Sequence, residues 1–159
     1  MSTNKLTIST GNDYEIVITR SFDAPRALVF DAITTPALIR RWLLGPPGWE
    51  MTECTVDLRV GGKYRYAWSN INGNAMGMGG EYREINKPER IVNTEKFDQS
   101  WYPGEAIGTV ELVEKDQKTI MTTTVRYESK ETRDGVLKSP MESGLTASYD
   151  RLEELLASS

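Results

Sequence analysis

GKYRYAWSNINGNAMGMGGEYREI, residues 62–85, is the stretch on which the fold turns. Its side chains alternate with a period of two. Tyr64, Tyr66 and Trp68 share one face of a strand, and Met76, Met78 and Tyr82 share one face of the next. The link between them, Asn70 to Asn74, is turn chemistry too short for a crossover helix, so the two strands run antiparallel. The same reading extends in both directions. Strands are predicted over Tyr14–Phe22, Trp49–Leu58, Gly62–Ser69, Met76–Ile85, Arg90–Phe97, Ile107–Lys115 and Lys118–Glu128. Turn residues at Val60-Gly61-Gly62, Asn86-Lys87-Pro88, Tyr102-Pro103-Gly104 and Asp116-Gln117 separate the later ones into a meander. Residues 1–12 are polar and read as a loosely held arm or a short edge strand.

Helices flank this meander. Asp23-Ala24-Pro25 and Thr35-Pro36 are cap-and-proline starts, which predict short helices over Pro25–Thr34 and from Pro36 to about Leu43. The loop Gly45-Pro46-Pro47-Gly48 ends the second. Near the C-terminus, Ser139-Pro140-Met141-Glu142 has the spacing of a capping box and opens a long helix over 139–157. Met141, Leu145, Ser148, Tyr149, Leu152, Leu155 and Leu156 form its apolar stripe. The segment from Glu131 to Lys138 is read as a linking turn or a single helical turn.

Composition narrows the chemistry. A chain of 159 residues fits one domain, here 1–159, and can bury a core without staples. It has no histidine, which removes Ser-His-Asp and Cys-His relays, His-ligated metals and an imidazole switch. Its one cysteine, Cys54, forms no internal disulfide and no multi-thiolate site. A net charge of −4 with no basic run beyond Arg40-Arg41 argues against nucleic-acid binding. No stretch reaches the about 18 apolar residues of a membrane span, and the first residues do not read as a signal peptide. A cytoplasmic protein without membrane insertion, metal or cofactor is expected, as a monomer or homodimer.

A curved antiparallel sheet wrapped around the terminal helix buries these apolar faces most simply. One sheet surface carries Tyr, Trp and Met where a tight core would favour Val, Ile and Leu. Six glycines between 61 and 80 permit strong curvature, and Gly144 inside the terminal helix is explained by a gap beneath it. A cavity between sheet and helix, roofed by the loop from Trp42 to Trp49, is therefore expected. The candidate lining residues are Trp42, Trp49, Tyr66, Trp68, Met78, Tyr82, Glu95, Phe97, Met121, Thr123, Met141, Leu145, Ser148 and Tyr149.

Several motifs together resemble a known family. They are Phe22-Asp23-Ala24-Pro25 leading to Val29-Phe30-Asp31-Ala32, Trp42 before a Pro/Gly loop, Asp57-Leu58-Arg59-Val60-Gly61-Gly62, residues 80–92, Met141-Glu142-Ser143-Gly144 and Tyr149-Asp150-Arg151-Leu152. Their order and spacing resemble small bacterial members of the START-like (SRPBCC) superfamily, in the branch named after the C-terminal domain of the activator of Hsp90 ATPase. The resemblance implies an α+β helix-grip (START/Bet v 1-like) fold with a curved antiparallel sheet, a long C-terminal helix and two short helices after the first strand. It also implies a cavity often used for hydrophobic ligands, and it brings no universal catalytic motif.

Three functions fit. The first is non-catalytic binding of a small hydrophobic or amphipathic molecule in the cavity. The second is association with a chaperone of the Hsp90 kind, as an ATPase activator. The third is a cyclase- or aromatase-like reaction, with Glu95 or Glu111 as proton-transfer groups on strand faces that could turn inward. Arg90 either pairs with a neighbouring carboxylate or anchors a ligand carboxylate. Trp101-Tyr102-Pro103-Gly104 is an aromatic loop tip, read as an entrance flap or as a turn that packs its rings on the rim, and Cys54 is a small buried hydrophobe. The sequence lacks a recognised catalytic constellation, which favours binding.

Overall fold

The computed structural model describes residues 4–100 and 102–158. Residues 1–3 of the predicted arm, Trp101 of the aromatic loop and Ser159 lie outside the described residues. In chain order the elements are β1 (Thr7–Ser9), β2 (Glu15–Phe22), α1 (Arg26–Thr34), α2 (Pro36–Trp42), β3 (Trp49–Val56), β4 (Lys63–Asn70), β5 (Ala75–Asn86), β6 (Arg90–Phe97), β7 (Ala106–Lys115), β8 (Lys118–Arg126), α3 (Lys130–Lys138) and α4 (Met141–Ala157). The fold is α+β. One eight-stranded sheet has the order β1-β2-β8-β7-β6-β5-β4-β3, and each neighbouring pair is antiparallel. The expected arm supplies β1 as an edge strand on β2. Strands β3 to β8 are the meander, and α1 and α2 carry the chain from one side of the sheet to the other.

The sheet curls because of bulges and missing side chains. Registers shift between Met51 and Glu53 and between Tyr82 and Glu84, which bends each strand locally. At Gly80 a Cβ would collide with the Thr94 carbonyl oxygen, so only glycine lets β5 approach β6 this closely.

Helix α4 crosses the concave face in two regimes. Its C-terminal half buries Leu152, Leu155 and Leu156 in the main core with Ile16, Ile18 and Phe22 of β2; each such side chain stabilises the fold by about 1.5–3 kcal/mol. Arg20 sits on that same inward face of β2, 1% exposed, and donates to Asp150 of α4 at 2.9 Å. Its Nε and Nη2 have no hydrogen-bond partner. The N-terminal half of α4 stands off the sheet.

Three local expectations are corrected. The segment before α4 is a nine-residue helix, α3, capped by Ser129, whose Oγ accepts from the Thr132 N–H at 3.1 Å. Ser139 does not cap α4. It ends α3, donating both its N–H and its hydroxyl to the Val136 carbonyl, and Pro140 precedes α4 without a side-chain cap. Gly144 does not face a gap either. A Cβ there would touch only Pro46, at an ordinary 3.5 Å.

Candidate functional site

The stand-off under α4 leaves a cavity of about 620 Å³, within the roughly 300–1,000 Å³ range of small-molecule sites. Its floor is the concave face of β4 to β8. Two-residue periodicity brings Tyr64 and Tyr66 of β4, Met76, Met78 and Tyr82 of β5, and Asn93, Glu95 and Phe97 of β6 onto that face. From β8 come Met121, Thr123 and Val125, and Tyr127 continues the alternation just beyond it. Met141, Leu145 and Tyr149 of α4 close the top, with Trp42 and Leu43 at one end and Tyr102 at another. The exposed members of the lining, Met76, Gln99 and Ser139, mark its mouth.

Of the residues expected from sequence, Trp42, Tyr66, Met78, Tyr82, Glu95, Phe97, Met121, Thr123, Met141, Leu145 and Tyr149 meet at this cavity. Trp49, Trp68 and Ser148 do not line it. Trp68 shares a second core cluster with Ile39, Met51 and Cys54, and Trp49 packs against that cluster. The Trp68 indole N–H donates to the Leu43 carbonyl at 2.7 Å, which holds it under α2. Ser148 points to the other side of α4, where its Oγ accepts from the Gly45 N–H at 2.9 Å; Arg151 donates to the Gly45 carbonyl at 2.8 Å. The Pro/Gly loop is thus clamped to the outside of α4, and the roof is α4 itself. Tyr64, Asn93 and Tyr127 lie two residues from expected members or continue their strand's alternation, so the same signal points to them. Tyr102 comes from the aromatic loop singled out in the sequence, Val136 from α3, in place of the expected turn, and Ser139 from the connection between α3 and α4.

Polar groups in the cavity fall into two sets. The Tyr64 hydroxyl donates to the Thr94 carbonyl at 2.6 Å and accepts from Asn93 at 2.9 Å, so it is satisfied by the protein. Tyr64 packs on Tyr66 and Tyr82 with ring centroids 5.1 and 5.4 Å apart, and Tyr102 meets Tyr127 edge-on at 5.9 Å.

Glu95 is different. Protein surrounds it, and its half-buried surface is contact with the cavity space. Among the described residues it forms no hydrogen bond or ion pair, and burial pushes its carboxyl up to about 7. Its charge in turn raises the pKa of Tyr64, Tyr66, Tyr102, Tyr127 and Tyr149, in each case after burial as the main cause. Burial also pushes Tyr82 up to about 12. Every tyrosine around Glu95 is therefore a neutral phenol at physiological pH.

The other titratable candidates lie elsewhere. Glu111 is exposed and receives Arg90 at 3.0 Å. Arg90 also pairs with Glu84 at 3.0 Å, so it meets neighbouring carboxylates and does not enter the cavity. Cys54 is buried, and desolvation raises its thiol pKa against the opposing charge of Arg40. Among the described residues no group of His, Cys, Asp or Glu is placed to hold a metal ion, and no helix is long and apolar enough to cross a membrane.

Comparison with known proteins agrees with this architecture. The family described as Activator of Hsp90 ATPase homolog 1-like protein matches residues 23–157. The chain belongs to the AHSA1-like family. Its helix-grip fold places it in the SRPBCC superfamily. Among solved AHSA1-like and related structures, a protein from Rhodobacter sphaeroides is 30% identical, with a TM-score of 0.92 over 98% of this chain and 99% of that one. A protein from Nitrosomonas europaea, 23% identical with a TM-score of 0.80 over 92% and 96% of the two chains, shares the fold. An HSP90 activator from Plasmodium falciparum is 26% identical, with a TM-score of 0.66 over 91% and 96%. No curated protein matches the chain.

Proposed function

We propose that this AHSA1-like protein holds one small, largely apolar molecule with a polar end, bound without covalent chemistry between sheet and α4. The observation that carries the reading is the 620 Å³ space itself, walled by tyrosine, methionine and aliphatic carbon around a single carboxyl. A dry void of that size would cost on the order of 15 kcal/mol at about 24 cal/mol per Å³. That exceeds the whole stability of most domains, so a protein built this way uses the space for solvent or a guest. Apolar burial supplies affinity, and the unpaired Glu95 carboxyl supplies orientation.

Two measurements test it. Native mass spectrometry of protein purified from its own cells is expected to show a bound small molecule. Tryptophan fluorescence and melting temperature are expected to shift with at least one member of a panel of lipids, sterols, flavonoids and polyketide-like compounds. Trp42 is the natural reporter, since it lines the cavity with its ring 5.9 Å from that of Tyr149. No co-purifying mass together with flat responses across the panel would remove the proposal.

The likeness to the Plasmodium falciparum HSP90 activator favours a second reading, association with an Hsp90-type chaperone. That reading predicts a faster chaperone ATPase on addition of this protein. An unchanged rate, without association at micromolar concentration, would dismiss it.

A further inference from the structure

The charges around the cavity narrow the chemistry of its guest, a step that rests on the binding reading. Glu95 is the only Asp, Glu, Lys or Arg among the described lining residues. An anionic headgroup entering here would meet a carboxyl and no cation. The buried cation whose charge reaches a lining residue, Tyr149, is Arg20. It is already committed, at 2.9 Å from Asp150 and 3.6 Å from Glu153 on α4. Arg90, the other arginine considered for this role, faces outward to Glu84 and Glu111. A neutral hydroxyl could accept or donate one bond but would leave the carboxylate charge uncompensated in a desolvated site.

We propose that the end of the ligand reaching Glu95 is a protonated amine, so that the cavity selects cationic amphiphiles over neutral and anionic ones. The carboxylate supplies a charge-assisted acceptor with no competing partner among the described residues. The surrounding Tyr64, Tyr66, Tyr82, Tyr102 and Tyr127 rings supply π-systems that favour a cation. The Met and aliphatic walls toward the mouth then bury the apolar body of the ligand. The arriving ammonium also stabilises the ionised form of Glu95, so binding and deprotonation reinforce one another.

Three probes sharing one alkyl tail test this: decylamine, decanol and decanoate, titrated calorimetrically into the full chain at about pH 8. Decylamine is expected to bind at least about tenfold more tightly than decanol, and decanoate most weakly. In Glu95→Gln, which keeps the shape and removes the charge, the decylamine preference is expected to shrink to within about threefold, while decanol, no longer facing an uncompensated carboxylate, binds at least as tightly as to the unmodified chain and so reports an intact pocket. Decanol or decanoate matching decylamine in the unmodified protein would overturn the inference and leave the binding reading standing. An amine preference that survives in Glu95→Gln would overturn the role of Glu95. Failure of all three probes to bind would count against the inference and the binding reading together.

Discussion

Replacing Glu95 with Gln should stabilise the ligand-free protein, and by an amount that depends on pH. The carboxyl ordinarily titrates at 4.5 and is raised to about 7 in the folded chain by burial. A folded-state pKa above the unfolded value means that the folded protein holds the proton more tightly. The penalty for Glu95 is therefore absent well below pH 4.5, grows between pH 4.5 and about 7, and is complete above that. Those two values give a penalty of about 1 kcal/mol at pH 5 and about 3 kcal/mol at pH 8. Both are upper bounds, since water reaching the cavity face of Glu95 screens part of the desolvation. The groups facing Glu95 do not blur the profile. Tyr64 and Tyr66 on β4, Tyr102 and Tyr127 at the strand ends and Tyr149 on α4 all have pKa values raised above that of a free phenol. Urea denaturation of both proteins at pH 5 and pH 8 measures the difference. Glu95→Gln should gain roughly 2–3 kcal/mol over the unmodified chain on going from pH 5 to pH 8, or roughly 6–12 °C in melting temperature at the higher pH. An equal offset at the two pH values would refute the placement of Glu95 in a desolvated, unpaired site.

Three further outcomes probe the frame around the cavity. Gly144→Ala, at a position where the new methyl meets only Pro46 at van der Waals distance, should raise stability by about 1 kcal/mol and leave ligand binding unchanged; a loss of stability by thermal melting would contradict the position of the Pro/Gly loop on α4. Gly80→Ala should cost about 1–3 kcal/mol by forcing β5 away from the Thr94 carbonyl, and chemical denaturation without a measurable loss would show that the strands do not approach so closely there. At the buried Arg20, Asp150→Ala should be the harsher change, costing up to about 3 kcal/mol because Arg20 remains buried with only Glu153 at 3.6 Å. Arg20→Met should cost less, since it removes the buried charge and releases an Asp150 side chain that is 57% exposed; the reverse order in matched denaturation curves would refute the account.

Much of the architecture is legible in the residues because its signals are local. Alternation in residues 62–85, turn pairs such as Asp116-Gln117 and the apolar stripe of α4 each depend on positions a few residues apart, and the strands and helices they predict lie within a few residues of those observed. The α4 start departs from expectation for an equally local reason. Ser139-Pro140-Met141-Glu142 has the form of a capping box, but Ser129 has already capped a helix that runs through Lys138, so Ser139 serves that helix's end. Arg20 escapes a reading by pattern because a charged residue in an otherwise apolar alternation reads as an interruption, when it is in fact buried against Asp150, 130 positions away.

What the sequence determined by itself was a curled antiparallel meander under a terminal helix, with tyrosine and methionine facing inward, because period-two and helical stripes commit side chains to faces before any packing occurs. Whether an inward face ends in a solid core or an open space was decided only in three dimensions. Trp68 and Tyr66 stand two residues apart on one strand, yet the first fills a second core under α2 and the second borders the cavity. Likewise Glu95 and Glu111 offered the same chemistry on paper. Strand curvature and the rise of α4 off the sheet put one alone among phenols and left the other in water beside Arg90, since distance between elements depends on how every face packs at once and on no single stretch of chain.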